Sequence, residues 1–227
     1  DLVAVPPELR ARVLELAPDV VPRENIILAA THTHSGTGGM TRKMPVRLVS
    51  GRFMPEVLEA AATGIVQAMQ QAYDTRTRAA VGHGTLTQTD LTHNRRFGDG
   101  PSDPQVGVIL VEDADGNPIS VVANLAAHPT SVGDEDLYSV SADYPGFYCS
   151  HLEALTRPEC APLFLNGTQG NQTIGSPPQN KTDWGRTEAE GRTLAERVKE
   201  ALPSITCGEA TLRVASAEPD LPLSLAG

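Results

Sequence analysis

Apolar positions recur at helical spacing in some stretches of the chain and as short unbroken runs in others, and the two patterns interleave. Pro6-Pro7-Glu8 opens a stretch in which Leu9, Val13, Leu14 and Leu16 share one face. Pro7 suits the first turn of that helix, where a missing N–H is no loss. Residues 25–31, Asn-Ile-Ile-Leu-Ala-Ala-Thr, read as a buried strand. Residues 55–72 return to a helical period through Val57, Leu58, Ala61, Ile65 and Met69, with Tyr73 close behind, and this stripe is a packing face. Residues 78–88 are strand-like despite Gly82 and Gly84. Residues 106–112 and 119–126 are stronger strands, and the Asp- and Gly-containing turn Asp113-Ala114-Asp115-Gly116-Asn117 between them predicts a hairpin whose second strand ends at His128. A helix over 144–155, a short buried strand over 161–165, and a charged amphipathic helix over 188–202 with Leu194, Val198 and Leu202 facing inward come next. Residues 208–215 read as a last strand, and 221–225 are again strand-like.

Helices alternating with strands define an α/β protein with a mixed β-sheet core and flanking helices, and such folds place their chemistry in loops at strand ends. No repeat, low-complexity tract or linker divides the sequence, so residues 1–227 are read as one domain. Ser176-Pro177-Pro178 is a loop within it.

Composition narrows the function. With 227 residues, 40% of them hydrophobic, the chain can bury a substantial core. A net charge of -10 excludes a surface built to neutralise phosphates, so no nucleic-acid partner is expected. The densest charge run, Asp134-Glu135-Asp136, is acidic and reads as a solvated loop tip. No apolar run approaches the roughly 20 residues of a membrane span. Residues 1–10 lack the basic-then-apolar profile of a signal peptide. Cys149, Cys160 and Cys207 have neither zinc-knuckle nor disulfide-framework spacing, which leaves room for one bridge at most.

Three strand ends carry unusual polar loops: Thr31-His32-Thr33-His34-Ser35-Gly36-Thr37-Gly38-Gly39, Ala127-His128-Pro129-Thr130-Ser131 and Gly170-Asn171-Gln172-Thr173. Two imidazoles two residues apart on extended chain project to one side, and the small residues after them let the backbone turn and leave room for a ligand. An isolated His-x-His is equally a pair of surface histidines. A catalytic zinc site commonly takes three protein ligands with histidine as the usual nitrogen donor, so a second histidine loop strengthens the metal reading. His83, inside a strand, and His151, on a helix, read as structural or exposed; His93 is at most a pocket residue, and Trp184 a packing anchor at a helix start.

These blocks, in this order, resemble the neutral/alkaline ceramidase family. Residues 25–39 closely resemble its Thr-His-Thr-His-Ser-Gly-Pro-Gly-Gly signature, Asn94-Arg95 its Asn-Arg pair, Ala127-His128-Pro129-Thr130-Ser131 its His-Pro-Thr-Ser block, Ser141-Ala142-Asp143-Tyr144-Pro145-Gly146 its Ser-x-Asp-x-x-Gly continuation, and Gly170-Asn171-Gln172-Thr173 its Gly-Asp/Asn-x-Ser loop. The resemblance extends over about residues 25–190. It implies zinc, with His32 and His128 as ligands. It implies that His34 and Arg95 face the scissile amide, that Thr173 stands at the family's active-site serine, and that Gly170 and Asn171 help bind substrate. The implied reaction is hydrolysis of an N-acylsphingosine-like lipid amide to a fatty acid and an amino alcohol. Peripheral membrane contact and a secreted, periplasmic or cell-surface location are expected on the same ground.

Thr173 keeps a hydroxyl but adds a methyl group and a stiffer rotamer, which counts against serine-type acyl transfer and not against metal-assisted hydrolysis. The family completes its zinc site with a glutamate and a tyrosine C-terminal to the serine loop, which this chain does not show in recognisable context. The expectation is therefore a fragment, truncated at both ends, whose remaining ligands lie beyond Gly227. Two other readings stay open: a metal-dependent phosphoesterase, since His-x-His at a strand end also opens some of those, and a catalytically silent binding domain on the same scaffold. With 4% aromatic residues and no long apolar loop, no receptacle for an acyl chain is apparent.

Overall fold

The computed structural model describes residues 1–132, 139–175, 184–215 and 217. The acidic run 134–136, the loop 176–178 and the strand-like 221–225 lie outside the described residues. Helix α1 spans Pro7–Leu16, α2 Met44–Ser50, α3 Pro55–Asp74, α4 Asp143–Thr156 and α5 Trp184–Ala201. Strands β1 (Ala80–Thr87), β3 (Gln105–Glu112), β4 (Pro118–Leu125) and β5 (Ala161–Asn166) form a sheet in the order β1-β3-β4-β5, and β2 (Thr92–Asn94) pairs with β6 (Gln172–Ile174) in a small second one. β1, β3 and β4 are antiparallel neighbours, whereas β4 and β5 run parallel. A parallel pair needs a crossover, which α4 supplies. The architecture is mixed α/β, as the alternation of patterns predicts.

Strand alternation decides where the core sits. Val106, Val108 and Leu110 of β3 and Val121, Ala123 and Leu125 of β4 point to one face and are buried there against Tyr144, Tyr148 and Leu152 of α4 and Leu194 and Val198 of α5. The two helices meet closely: a Cβ on Gly191 would lie 2.5 Å from the Phe147 Cβ and 2.6 Å from the Tyr144 carbonyl oxygen. A second cluster joins Leu9 and Val13 of α1 to Leu58 and Ala62 of α3, with Met40 between, and Val57, Ala61, Ile65 and Met69 pack on it. Both predicted helical stripes are thus packing faces.

Two strand expectations are corrected. Residues 25–31 form no strand: Arg23–Asn25 is a single 3-10 turn, and the chain then runs extended without ladder partners, with Ile27 77% exposed. Its apolar run has no neighbouring strand among the described residues to supply the hydrogen bonds a strand requires. Residues 208–215 contribute only an isolated bridge from Gly208 to Val81, and the remainder is exposed. Trp184 does open α5, but at 42% exposure it anchors little. All three cysteines are free. Among the described residues no helix is long and apolar enough to cross a membrane.

Candidate metal centre

His32, His34 and His128 converge, with one nitrogen from each lying within 4.8 Å of the others. The two histidines of the first loop do not reach this arrangement through an extended strand. His32 takes φ 68°, a left-handed conformation unusual for a bulky residue and costing on the order of 1 kcal/mol or more. The surroundings hold it there. The His32 N–H donates to the Leu2 carbonyl at 2.9 Å, and the fully buried Thr33 donates its hydroxyl to the Ser141 carbonyl at 2.8 Å. The Ser141 N–H in turn donates to the Ser35 carbonyl at 2.9 Å, and the His34 N–H reaches Pro129 O across to the second loop. His32 and His34 consequently present their rings edge to face, 5.2 Å between centroids.

The far side of each ligand ring fixes its proton. His32 Nδ1 lies 2.6 Å from the Val3 carbonyl oxygen, and His128 Nδ1 lies 2.7 Å from that of Gln169 and 3.2 Å from that of Gln172. Carbonyl oxygens only accept, so both Nδ1 atoms carry hydrogen and both Nε2 lone pairs point into the centre. Those Nε2 atoms are 3.2 Å apart. Two lone pairs at that separation repel unless a cation lies between them. Two nitrogens bound at 2.0–2.1 Å in a tetrahedral zinc site would lie about 3.3 Å apart, so the donor set fits. Locking the second ring nitrogen onto a carbonyl is how proteins orient histidine ligands. Burial lowers the His128 pKa below its ordinary 6.5 against the opposing Gln169 hydrogen bond, and Arg95 and His32 lower it further. His34 is lowered too, by burial first and then by His32 and Arg95. Neutral imidazoles are the form that binds metal.

The third loop arrives through the small sheet. His93 of β2 pairs with Thr173 of β6, and Thr173 bridges to His128, donating its hydroxyl to the His128 carbonyl at 3.4 Å. Thr173 is only 5% exposed, so this hydroxyl supports the backbone behind a ligand. Arg95 follows β2 directly. Its backbone N–H donates to the Asn171 carbonyl at 2.8 Å, and its guanidinium donates to the Gly170 carbonyl through Nε at 3.2 Å and Nη2 at 3.0 Å. Gly170 and Asn171 thus hold the arginine, and Asn171 also donates to Pro101 O. His151 pairs with Glu188 at 3.4 Å and His83 is exposed on β1, both away from the centre.

Sequence reasoning missed Asn166, at the end of β5. Its side-chain amide donates to the Thr31 carbonyl at 2.9 Å and the Ala127 carbonyl at 3.1 Å, the residues immediately before His32 and His128. One group thereby ties the two ligand loops together. An asparagine ending an apolar strand beside Gly167 was the available signal. Replacing it (Asn166→Ala) should weaken metal binding about 10–100-fold, as losses of supporting hydrogen bonds behind ligands do, with a folding cost of about 1–2 kcal/mol. Competition against a zinc-binding dye and a thermal melt read the two effects separately.

Fold and site together define an α/β protein with a histidine-rich, metal-competent centre where two histidine loops converge. The family model described as neutral/alkaline non-lysosomal ceramidase, N-terminal, matches residues 2–169, and the chain belongs to that family. The matched region starts earlier than the motifs alone indicate, and it stops just before Gly170. Neutral ceramidase B of Dictyostelium discoideum is 28% identical over 163 residues, which cover 64% of this chain and 22% of that protein. Neutral ceramidase of Pseudomonas aeruginosa is 28% identical over 162 residues, covering 66% and 24%. The crystal structure of the latter superposes with a TM-score of 0.80 at 24% identity, covering 92% of this chain and 37% of that one, which shows the fold. The chain thus spans about a quarter of the length of the curated relatives it matches.

Proposed function

We propose that this chain carries part of the centre of a zinc-dependent amidohydrolase acting on N-acylsphingosine-like lipid amides. The observation that supports it most is the facing Nε2 pair of His32 and His128, each ring oriented by a backbone carbonyl. The family membership supplies the bond type. Zinc held by these histidines would polarise the amide carbonyl and acidify a water.

The protein's own groups then divide the remaining work. His34 is exposed at the mouth of the centre, with its pKa lowered so that it is neutral and able to accept a proton near neutral pH. Water oxygen bonds to the carbonyl carbon, the C–N bond breaks, and the proton that His34 took is returned to the departing amine. Arg95, its guanidinium braced by Gly170, offers fixed charge for the developing oxyanion or for substrate hydroxyls. Thr173 acts by supporting His128, which needs no acyl transfer to its hydroxyl. Gly170 and Asn171 contribute to substrate binding through the position they give Arg95. The facing Nε2 atoms of His32 and His128 favour this reading over a silent scaffold, because a scaffold that binds no metal does not require two lone pairs to be aimed at each other.

Stripping the purified protein with dipicolinate should abolish hydrolysis of a fluorescent N-acylsphingosine, and stoichiometric zinc should restore it. A phosphate monoester assayed in parallel should stay intact. Turnover of the phosphate ester alone would transfer the site to the phosphoesterases, and the absence of both zinc and turnover would leave a binding domain.

A further inference from the structure

We propose that Glu190, an acid on the buried stripe of α5, is a positioning residue of the histidine centre: it grips the His128 loop through Ser131 and so sets where the two facing nitrogens stand. This rests on the metal reading of that centre. It extends the centre's support to a residue beyond the 2–169 that the family model matches.

An acid is a poor choice at this position if packing is its whole task. The inner face of α5 is Thr187, Glu190, Gly191, Leu194, Ala195 and Val198, all buried, and Glu190 stands one turn before Leu194 at 7% exposure. Burying a carboxylate forfeits its hydration, and where such a group only fills space an apolar side chain of similar volume does as well or better. Glu190 has a specific partner instead. The fully buried Ser131 donates its hydroxyl to Glu190 Oε2 at 2.6 Å, a separation typical of a hydroxyl on an ionised carboxylate. Arg186, one turn earlier on α5, lies 3.6 Å from Oε1 and offsets the charge.

The route from Glu190 to the centre is short. Ser131 follows His128 by three residues, and side chains pin the loop on both sides of the ligand. Before it, the Ala127 carbonyl accepts from the Tyr144 hydroxyl at 3.0 Å and from Asn166 at 3.1 Å. After it, Ser131 is held by Glu190, and the Val132 N–H donates to Asp143 at 2.9 Å. Asp143 thus ties the loop to α4 and Glu190 ties it to α5, the two helices that cover the sheet. Between the pins the Pro129 carbonyl accepts the His34 N–H at 3.4 Å, so the same loop also carries the first histidine block. The grip is rigid at its base, because α5 presses on α4 one residue further on: a Cβ on Gly191 would lie 2.8 Å from the Tyr148 nitrogen. Partners behind a ligand fix where its lone pair stands, and their loss is felt in metal affinity.

The test titrates the 227-residue chain with zinc against a dye and with cobalt, whose visible absorption reports ligand geometry, well below the Tm. Glu190→Leu fills the stripe without gripping Ser131. It should keep a Tm close to that of the wild type while losing zinc affinity about 10–100-fold and shifting the cobalt spectrum. Glu190→Gln retains an acceptor oxygen for the Ser131 hydroxyl and should recover most of that loss. Ser131→Ala should lose affinity as Glu190→Leu does, and the double variant should bind no worse than either, because one contact is removed in all three. If Glu190→Leu does not fold, affinity lost in Ser131→Ala and kept in Glu190→Gln supports the grip. Unchanged affinity and spectrum in Glu190→Leu and Ser131→Ala would overturn it, and so would equal losses in Glu190→Gln and Glu190→Leu, which would show that charge and not the hydrogen bond counts. A wild-type chain that takes up neither metal would overturn the metal reading itself, and the positioning role with it.

Discussion

Under the proposed zinc-amidohydrolase function, replacing His128 with alanine should lower amide hydrolysis by on the order of 10³-fold and abolish zinc binding, with His32→Ala behaving alike. The size follows from what is lost. A bound metal ion stabilises charge in the transition state by several kcal/mol, and each 1.36 kcal/mol is a factor of ten in rate. Both rings are held by carbonyls on their Nδ1 side, so removing one leaves a single oriented Nε2 donor in place of a pair 3.2 Å apart. His34→Ala should behave differently, keeping most of the metal while losing turnover, because it stands exposed at the mouth and its ring is not braced by the same carbonyls. Zinc content by mass spectrometry alongside turnover separates the two outcomes. Full metal and full activity in His128→Ala would sink the assignment.

The histidines themselves were legible in the sequence because chemistry was written there as residue type and order: two histidine blocks and a Gly-Asn loop in one sequence, each following an apolar run. Their geometry was not. The expected strand before His32 is absent, and the rings are gathered by a left-handed residue whose conformation is imposed by Leu2, Val3 and Ser141, the last of them 108 residues from its partner Thr33. Local pattern cannot report a backbone conformation that local preference opposes. The same limit explains β2 and β6, three residues each, too short to show alternation yet responsible for bringing Arg95 and Thr173 to the centre. By contrast α1, α3, α5 and the β3–β4 hairpin were readable, since each buries a periodic apolar face and that burial selects the period. The apolar run at 25–31 misled for the converse reason: Leu28 packs on the α1–α3 cluster while Ile27 faces solvent, so hydrophobicity there records one contact and not a ladder.

The second large effect falls on Asp143, which belongs to the Ser-x-Asp-x-x-Gly block but not to the centre. It is 1% exposed and adopts φ 57° at the start of α4. Its carboxylate accepts from the Val132 N–H at 2.9 Å and from the Tyr144 N–H at 2.7 Å, so it joins the loop that continues from His128 to the helix beneath it. Asp143→Ala orphans both buried N–H groups at about 1–3 kcal/mol each and leaves a non-glycine residue in left-handed conformation, for a loss of about 2–6 kcal/mol. In a chain of this size that is a fall in Tm of roughly 10 °C, with weaker zinc binding because the His128 loop is released. Burial raises the Asp143 pKa above its ordinary 3.8, outweighing the backbone hydrogen bonds that lower it. A carboxyl whose folded pKa is raised contributes stability that is fully present below its unfolded pKa and is lost as pH rises through the folded value. Asp143→Asn keeps an acceptor oxygen and tolerates φ 57°, but carries no charge. It should therefore lose less stability than the alanine variant and lack the decline that the wild type shows as pH rises from about 3.8. Parallel melts of the three proteins across that range decide the matter: equal pH dependence in wild type and Asp143→Asn would mean that Asp143 stays ionised in its loop throughout.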